Sequence, residues 1–357
     1  EKKKGLNSLF MRYSRSVRSA VAATTNPLRV GFFGAGDIST LHAAALRRSP
    51  RATLAGLWNR AGCAIVPDAA AKAAEYECEL YSSAEALATD PSIDAIYILT
   101  NMESHCELAQ LAMRSGKHVY IEKPVGSSVA EVEAMAECAA ETGVVCFPGH
   151  NYVYEPGVRR ARELIDAGDL GDIAHLAVSY NIQHPAEVCA RLPGVIRQIL
   201  THHAYVSLFL LGATPPTTLS AMSSIVGDES NALTRENIAA VLMKHGDRGA
   251  LTSLEASFAG DDHTSDPWSF YIKVLGTKGG ARYSYNDWVV NAKEQVHSHV
   301  YVAYPHTIAA ASEHFIECVL DSDATVPLST MADAIAAQKI VEAAEESAKS
   351  AVHVTLV

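Results

Sequence analysis

The sequence predicts an α/β protein of two domains: a parallel sheet covered on both faces, then a second α/β domain with a large open, mostly antiparallel sheet. Three observations lead there. From Leu28 to Pro148, short apolar runs alternate with amphipathic segments of helical period, the pattern of parallel strands joined by right-handed crossovers. After Gly149 the β-rich runs follow one another across turn residues with no helix between them, so they pair as antiparallel neighbours. A chain of 357 residues is also longer than one compact core usually is.

Element by element, Leu28–Phe33 reads as the first strand and Thr40–Arg48 as the first helix. Strands at Ala52–Trp58, Ile93–Leu99, His118–Ile121 and Val144–Pro148 alternate with helices at Pro67–Tyr76, Ser104–Ser115 and Ser128–Thr142. A helix at Gly157–Ala167 then leads to a strand at Ile173–Tyr180, and an apolar helix forms around Gln198. Strands follow at Thr217–Ser224, Asn237–Met243, Ala250–Phe258, Ser269–Leu275 and Ala281–Tyr285. Met331–Lys349, rich in alanine with period 3.6, is the closing helix. The domains are therefore expected at 28–149 and 150–330, with 331–357 closing the fold.

Residues 1–27 stand apart. Lys2, Lys3, Lys4, Arg12, Arg15 and Arg18 face a single acid, Glu1. Such a segment is an organelle leader, an expression remnant or an arm that docks on a partner subunit.

Twenty-nine basic against forty acidic residues leave a net charge of −11, which argues against nucleic acid as a partner. No apolar stretch reaches the ~18 residues a membrane span needs. The seven cysteines are scattered and include no CxxC pair, so we expect buried thiols in a reducing, cytoplasmic setting and no metal site.

The chemistry begins at Gly31-Phe-Phe-Gly34-Ala-Gly36-Asp37-Ile38-Ser39. Gly34 permits a tight strand-to-helix turn. Gly36 lets the backbone approach a pyrophosphate at the helix N-terminus, where N–H groups and the dipole favour an anion. An ordinary glycine-rich turn is the plainer alternative. At the end of the second strand an acid would take the ribose 2′-hydroxyl of NAD; here stand Asn59 and Arg60, which favour NADP, although NAD stays open. Thr100, Asn101 and His105 fall at the carboxyl edge of the next long strand, where a cofactor lies; His105 is equally an ordinary helix N-terminal residue. Glu122-Lys123-Pro124 ends the following strand. Lys123 either points its amine into a cleft or is an exposed turn lysine.

Gly34-Ala-Gly36-Asp37-Ile38, Glu122-Lys123-Pro124, Glu163-Leu-Ile-Asp-Ala-Gly-Asp-Leu-Gly-Asp-Ile and the tail from Ala336 together resemble the glucose–fructose oxidoreductase / inositol dehydrogenase (Gfo/Idh/MocA) family. The resemblance spans Leu28 to the C-terminus. It implies a Rossmann domain, an open sheet used to form a homodimer or homotetramer, and NAD(P)-linked oxidation or reduction of sugars, cyclitols or sugar derivatives. It also implies that Lys123 is catalytic.

Many members carry Gly-x-x-x-Asp-x-x-x-His on a helix of the second domain. Gly194-Val-Ile-Arg-Gln198-Ile-Leu-Thr-His202 matches in spacing, which puts His202 at the base position and Gln198 where the acid is usual. On a regular helix Gln198, His202 and Tyr205 share one face and His203 lies about 100° away. Gln198 is neutral and positions substrate; it cannot take up a proton. His202 then accepts the hydroxyl proton while Lys123 polarises the oxygen. For any histidine pair on an apolar helix, satisfied core residues are the plainer alternative, and the adjacent pair cannot face one metal ion. Asn151 and Tyr154 join Gln198 and His202 as candidate substrate contacts; His150 and His184 are further polar candidates. Two other functions stay open on this scaffold: a cofactor-recycling enzyme of transhydrogenase or glycosidase type, and a non-catalytic NAD(P)-binding regulator.

Overall fold

The computed structural model describes residues 26–356 except 64–65, 67, 213–214, 228–232, 247–248, 261–267, 285–286, 291–293, 298–302 and 322–323. The basic segment before residue 26, and with it the choice between leader and arm, lies outside the described residues.

Six strands form the first sheet: β1 (Leu28–Phe33), β2 (Ala52–Trp58), β3 (Glu79–Leu80), β4 (Ala95–Ile98), β5 (His118–Ile121) and β6 (Cys146–Pro148). Their order is β3-β2-β1-β4-β5-β6 and every pairing is parallel, the doubly wound arrangement in which strand order reverses beside β1. All four residues of β4 are buried because helices cover both faces. Short β3 and the helix Ala84–Thr89 escaped the sequence reading; neither is long enough to show a period.

The second sheet has nine strands: β7 (Ile173–Ile182), β8 (Thr218–Ser224), β9 (Ile238–Lys244), β10 (Leu251–Ser257), β11 (Trp268–Gly276), β12 (Gly280–Ser284), β13 (Asp287–Val290), β14 (Glu294–His297) and β15 (Val354–Thr355). Only the central β7–β10 pair is parallel; the other pairings are antiparallel. Burial alternates along β9, with Ala239, Val241 and Met243 inward and Leu242 outward, as expected for a sheet packed on one face. The outer face also carries exposed Met222 and Leu251.

Helix Ala303–Leu320 went unread, and it decides how the halves join. It falls within the 150–330 segment, yet it packs on the first sheet: Ser312 bonds Tyr97, and Phe315 meets Tyr97 and Tyr120 edge-on. The closing helix Met331–Ser350 starts with a Thr330–Asp333 capping box. Among the described residues no helix is long and apolar enough to cross a membrane, and no disulfide joins the seven cysteines.

Candidate active site

The glycine loop follows from local sterics. Gly34 has φ of +104°, and a Cβ there would sit 2.7 Å from the Leu99 carbonyl oxygen, so a side chain is excluded twice over. Gly36 precedes helix Asp37–Arg48 with no side-chain cap, and a Cβ on it would meet nothing within 4 Å. The Ser39 N–H donates to Gly36 O, and no hydrogen bond of the Asp37 or Ile38 N–H is found among the described residues. That is a cradle for a phosphate anion, and the residues fit a dinucleotide. Ser39 replaces the third glycine; its hydroxyl donates to Gly36 O at 2.6 Å and meets Tyr76 Oη at 2.8 Å. At the end of β2, Asn59 Oδ1 accepts the Ala35 N–H at 3.2 Å, which holds the loop, and Arg60 is exposed.

Next to the loop, Lys123-Pro124 is a cis peptide. Glu122 is buried and turns inward: Oε1 lies 2.9 Å from His42 Nε2, and Oε2 accepts the Lys123 N–H. His42, inside the first helix, carries no motif, and sequence reasoning missed it. His105 is buried, with Nδ1 at 2.9 Å from Pro124 O and Nε2 at 3.0 Å from Thr100 O. Burial pushes its pKa down, and a neutral ring donates to only one of the two carbonyls. Its ring thus ties two strand-end loops together. The Lys123 amine has no hydrogen-bond partner among the described residues. Burial lowers its pKa, and the Glu122 carboxylate offsets part of that shift.

A cleft of about 650 Å³ opens between these loops and the second domain. Asp37, Ile38, Thr100, Asn101, His105, Glu122, Lys123 and Pro124 line it from the first domain, and Gln198 lines it from the second. Arg191, Arg235 and Tyr304 line it as well; no motif marks them in the sequence.

Gly194, with φ of +96°, packs so tightly on Glu236 that a Cβ would lie 2.3 Å from its carboxylate. Glu236 Oε1 in turn accepts the Ile196 N–H at 3.1 Å, which explains the glycine of the motif. Ile196–Leu200 then form a π-helical turn before helix Thr201–Leu210; of the three residues expected on one face, only Gln198 reaches the lining of the cleft. Within that turn, Arg197 forks onto Glu345 at 2.5 and 2.6 Å and donates to Ser127 O at 2.7 Å. The turn is thereby clamped to both the closing helix and the loop beyond Pro124.

His202 is buried behind Gln198, among the rings of Tyr152, Tyr180 and Tyr205. Its Nδ1 lies 2.5 Å from Tyr205 Oη, which lies 3.3 Å from Asn151 Oδ1. Asn151 Nδ2 donates to Thr307 Oγ1 at 2.7 Å, and Thr307 donates to Tyr304 O at 2.8 Å. A carbonyl only accepts, which directs Thr307 to Tyr304 and the Asn151 amide to Thr307. Tyr205 Oη accepts the Tyr152 N–H at 3.2 Å, and its one hydrogen goes either to Asn151 Oδ1 or to His202 Nδ1. In the first arrangement His202 donates from Nδ1 and Nε2 is the proton acceptor. Burial, with the neighbouring charges of Lys123, His203 and His150, holds the His202 pKa well below its ordinary value. His150 stacks on Tyr205 at 4.0 Å and meets Ser329 Oγ. His203 is fully buried with neither nitrogen bonded in the structure.

Of the four expected substrate contacts only Gln198 lines the cleft; His202 lies behind it, and Asn151 and Tyr154 are engaged elsewhere. Asn151 is spent in the chain beneath His202, and Tyr154 packs against Phe147 and His314. His184 lies against Phe258. Among the described residues no three histidine, cysteine or acidic side chains converge on a metal position.

The model of the Gfo/Idh/MocA oxidoreductase family with NAD-binding Rossmann fold matches residues 28–150, and that of its C-terminal domain matches residues 158–282. The chain belongs to the Gfo/Idh/MocA family. As a Gfo/Idh/MocA protein it is an oxidoreductase that binds a nicotinamide dinucleotide at its Rossmann domain. Inositol 2-dehydrogenase of Rhizobium meliloti (strain 1021) is 26% identical over 258 residues, 71% of this chain and 74% of that protein. The 4-carboxy-2-hydroxymuconate-6-semialdehyde dehydrogenase of Sphingobium sp. (strain NBRC 103272 / SYK-6) is 27% identical over 277 residues, 75% of this chain and 83% of that one. Scyllo-inositol dehydrogenase of Lactobacillus casei, solved with NAD(H) and scyllo-inositol, shares the fold at a TM-score of 0.79 and 18% identity, covering 92% of this chain and 99% of that one.

Proposed function

We propose that this Gfo/Idh/MocA protein is a dehydrogenase that oxidises a hydroxyl-bearing carbon of a cyclitol, sugar or sugar derivative. The observation that carries the reading is the Lys123 amine, which lines the cleft without a hydrogen-bond partner among the described residues, with Gln198 on the second-domain side and the chain Thr307–Asn151–Tyr205–His202 behind it. Gly34, Gly36, Asp37 and Ile38 hold the pyrophosphate, while Thr100, Asn101, His105 and the Glu122-Lys123-Pro124 turn border the nicotinamide. When bound, the cofactor supplies the hydride acceptor. Lys123 donates a hydrogen bond to the reacting oxygen, His202 Nε2 takes its proton, and Gln198 orients a neighbouring hydroxyl. Burial lowers the pKa of both Lys123 and His202, and the lysine's charge lowers that of His202 further. With no acid at Asn59-Arg60, NADP is accepted as well as NAD. The exposed apolar outer face of the second sheet serves to form a homodimer or homotetramer.

The test is a cofactor-reduction screen with NAD and NADP against inositols, aldoses and sugar derivatives. Reduction with a cyclitol or sugar is the expected result. Tight NADPH binding without turnover on any substrate would overturn it in favour of a non-catalytic regulator, a role in which the neutral Gln198 costs nothing.

A further inference from the structure

We infer that the substrate carries an anionic group, a carboxylate or a phosphate, and that Arg191 and Arg235 hold it. The inference deepens the dehydrogenase reading and rests on it. Charge is distributed unevenly across the cleft. The acids that line it, Asp37, Glu103 and Glu122, all belong to the first domain. Two of them are occupied: Glu122 by His42 and the Lys123 N–H, Glu103 by Asn101 Nδ2 at 2.5 Å.

The second domain contributes no carboxylate to the described lining. Its polar side chains there are Arg191, Gln198, Arg235 and Tyr304. Arg191 and Arg235 are exposed, and neither has an ion pair among the described residues. Arg197, six residues beyond Arg191, shows the contrast, since its guanidinium is neutralised by Glu345. Glu236 feels the charge of neighbouring Arg235, but its carboxylate makes no ion pair with it among the described residues and instead accepts the Ile196 N–H and packs on Gly194.

In a chain of net charge −11, two guanidiniums on one wall of a concave site, neither in an ion pair among the described residues, favour an anion on that wall. The guanidinium fork matches the paired oxygens of a carboxylate or phosphate. Gln198 completes the argument. A carboxylate at its position would repel an anionic substrate, whereas an amide on the same wall donates a hydrogen bond to it. The substitution and the arginines thus point to the same ligand chemistry: a polyhydroxylated acid or a phosphorylated sugar.

The experiment compares kcat/KM for glucuronate and glucose 6-phosphate with that for glucose and myo-inositol, in the wild type, Arg191→Ala and Arg235→Ala. One anionic substrate should be preferred over its neutral counterpart by about 10-fold or more, and each substitution should reduce that preference about 10-fold or more, mainly through KM. Which anion is preferred separates the carboxylate from the phosphate. NADPH affinity, read by fluorescence, should stay at the wild-type value; its loss would assign the arginines to the nucleotide and overturn the inference. A preference for neutral polyols that both substitutions leave intact would overturn it as well. Absence of turnover on every substrate would sink the dehydrogenase reading instead. In that case anion binding to the NADPH-loaded protein is read directly: glucuronate or glucose 6-phosphate quenching the wild type but neither arginine variant keeps the inference, and quenching of none or of all three removes it.

Discussion

His202 Nδ1 lies 2.5 Å from the Tyr205 hydroxyl, three residues along the same helix. Tyr205 Oη also accepts the Tyr152 N–H and lies 3.3 Å from Asn151 Oδ1, so it couples His202 to a buried polar chain. Tyr205→Phe removes the acceptor for the Nδ1 hydrogen and leaves the imidazolium without its partner. We expect kcat to fall about 10- to 100-fold, the range of a misoriented general base. The acid limb of the kcat/KM profile should shift to lower pH, because the cation has lost a stabilising bond. A wild-type kcat and pH profile in Tyr205→Phe would remove the relay from the mechanism.

Lys123 lines the cleft, and its amine has no internal hydrogen-bond partner among the described residues. Lys123→Ala should lower kcat by at least about 100-fold. NADPH affinity, measured by fluorescence titration, should change little. Retained activity would end the role assigned to the amine.

Asn59 accepts the Ala35 N–H through Oδ1, and an aspartate in its place keeps that acceptor. Asn59→Asp should therefore fold normally while its charge repels a 2′-phosphate. The ratio of kcat/KM with NADP to that with NAD should drop about 10-fold or more. An unchanged ratio would take the Asn59-Arg60 pair out of cofactor selection.

His150 and His203 are buried, and burial depresses each pKa to about 3. In the unfolded chain they titrate near 6.5. The unfolded state thus binds more protons below that pH, so the stability contributed by the neutral rings is complete above pH 6.5 and is lost progressively toward pH 3. Each ring costs about 2 kcal/mol between pH 6.5 and 5. The melting temperature should fall across that interval, and His203→Leu should flatten the slope. An identical slope in the variant would show that His203 is not the titrating group.

Arg197 joins the π-helical turn to Glu345 and Ser127. Arg197→Ala strands Glu345 at a half-buried position and frees the segment that carries Gln198. A stability loss of about 2 kcal/mol by denaturant titration is expected, smaller than for a fully buried pair. It should be accompanied by a raised substrate KM. Unaltered stability would mean that solvent replaces the clamp at no cost.

Much of this was legible in the residues. Gly34, Gly36 and Glu122-Lys123-Pro124 fall at strand ends, where chain direction alone places them at the carboxyl edge of a parallel sheet. The separation of His202 from His203 was also legible, since adjacent helical residues point apart. Other features left no local trace. His42 is an unremarkable helix residue until the fold brings it beneath Glu122, 80 positions away. Tyr154 sits near the domain junction in sequence, yet its ring is absorbed by the core. Helix Ala303–Leu320 is too uniformly apolar to announce its face, and it supplies Thr307, the anchor beneath His202.

The sequence by itself determined the alternation of strands and helices, the two-sheet division and the residue types that meet a dinucleotide, because these follow from backbone sterics, apolar periodicity and chain direction. Only the tertiary structure decided that Gln198 faces the cleft while His202 lies behind it on Tyr205, and that Arg191 and Arg235 share the wall with Gln198. Hydrogen-bond direction and unpaired charge are properties of groups brought together from distant parts of the chain, and no local pattern encodes them.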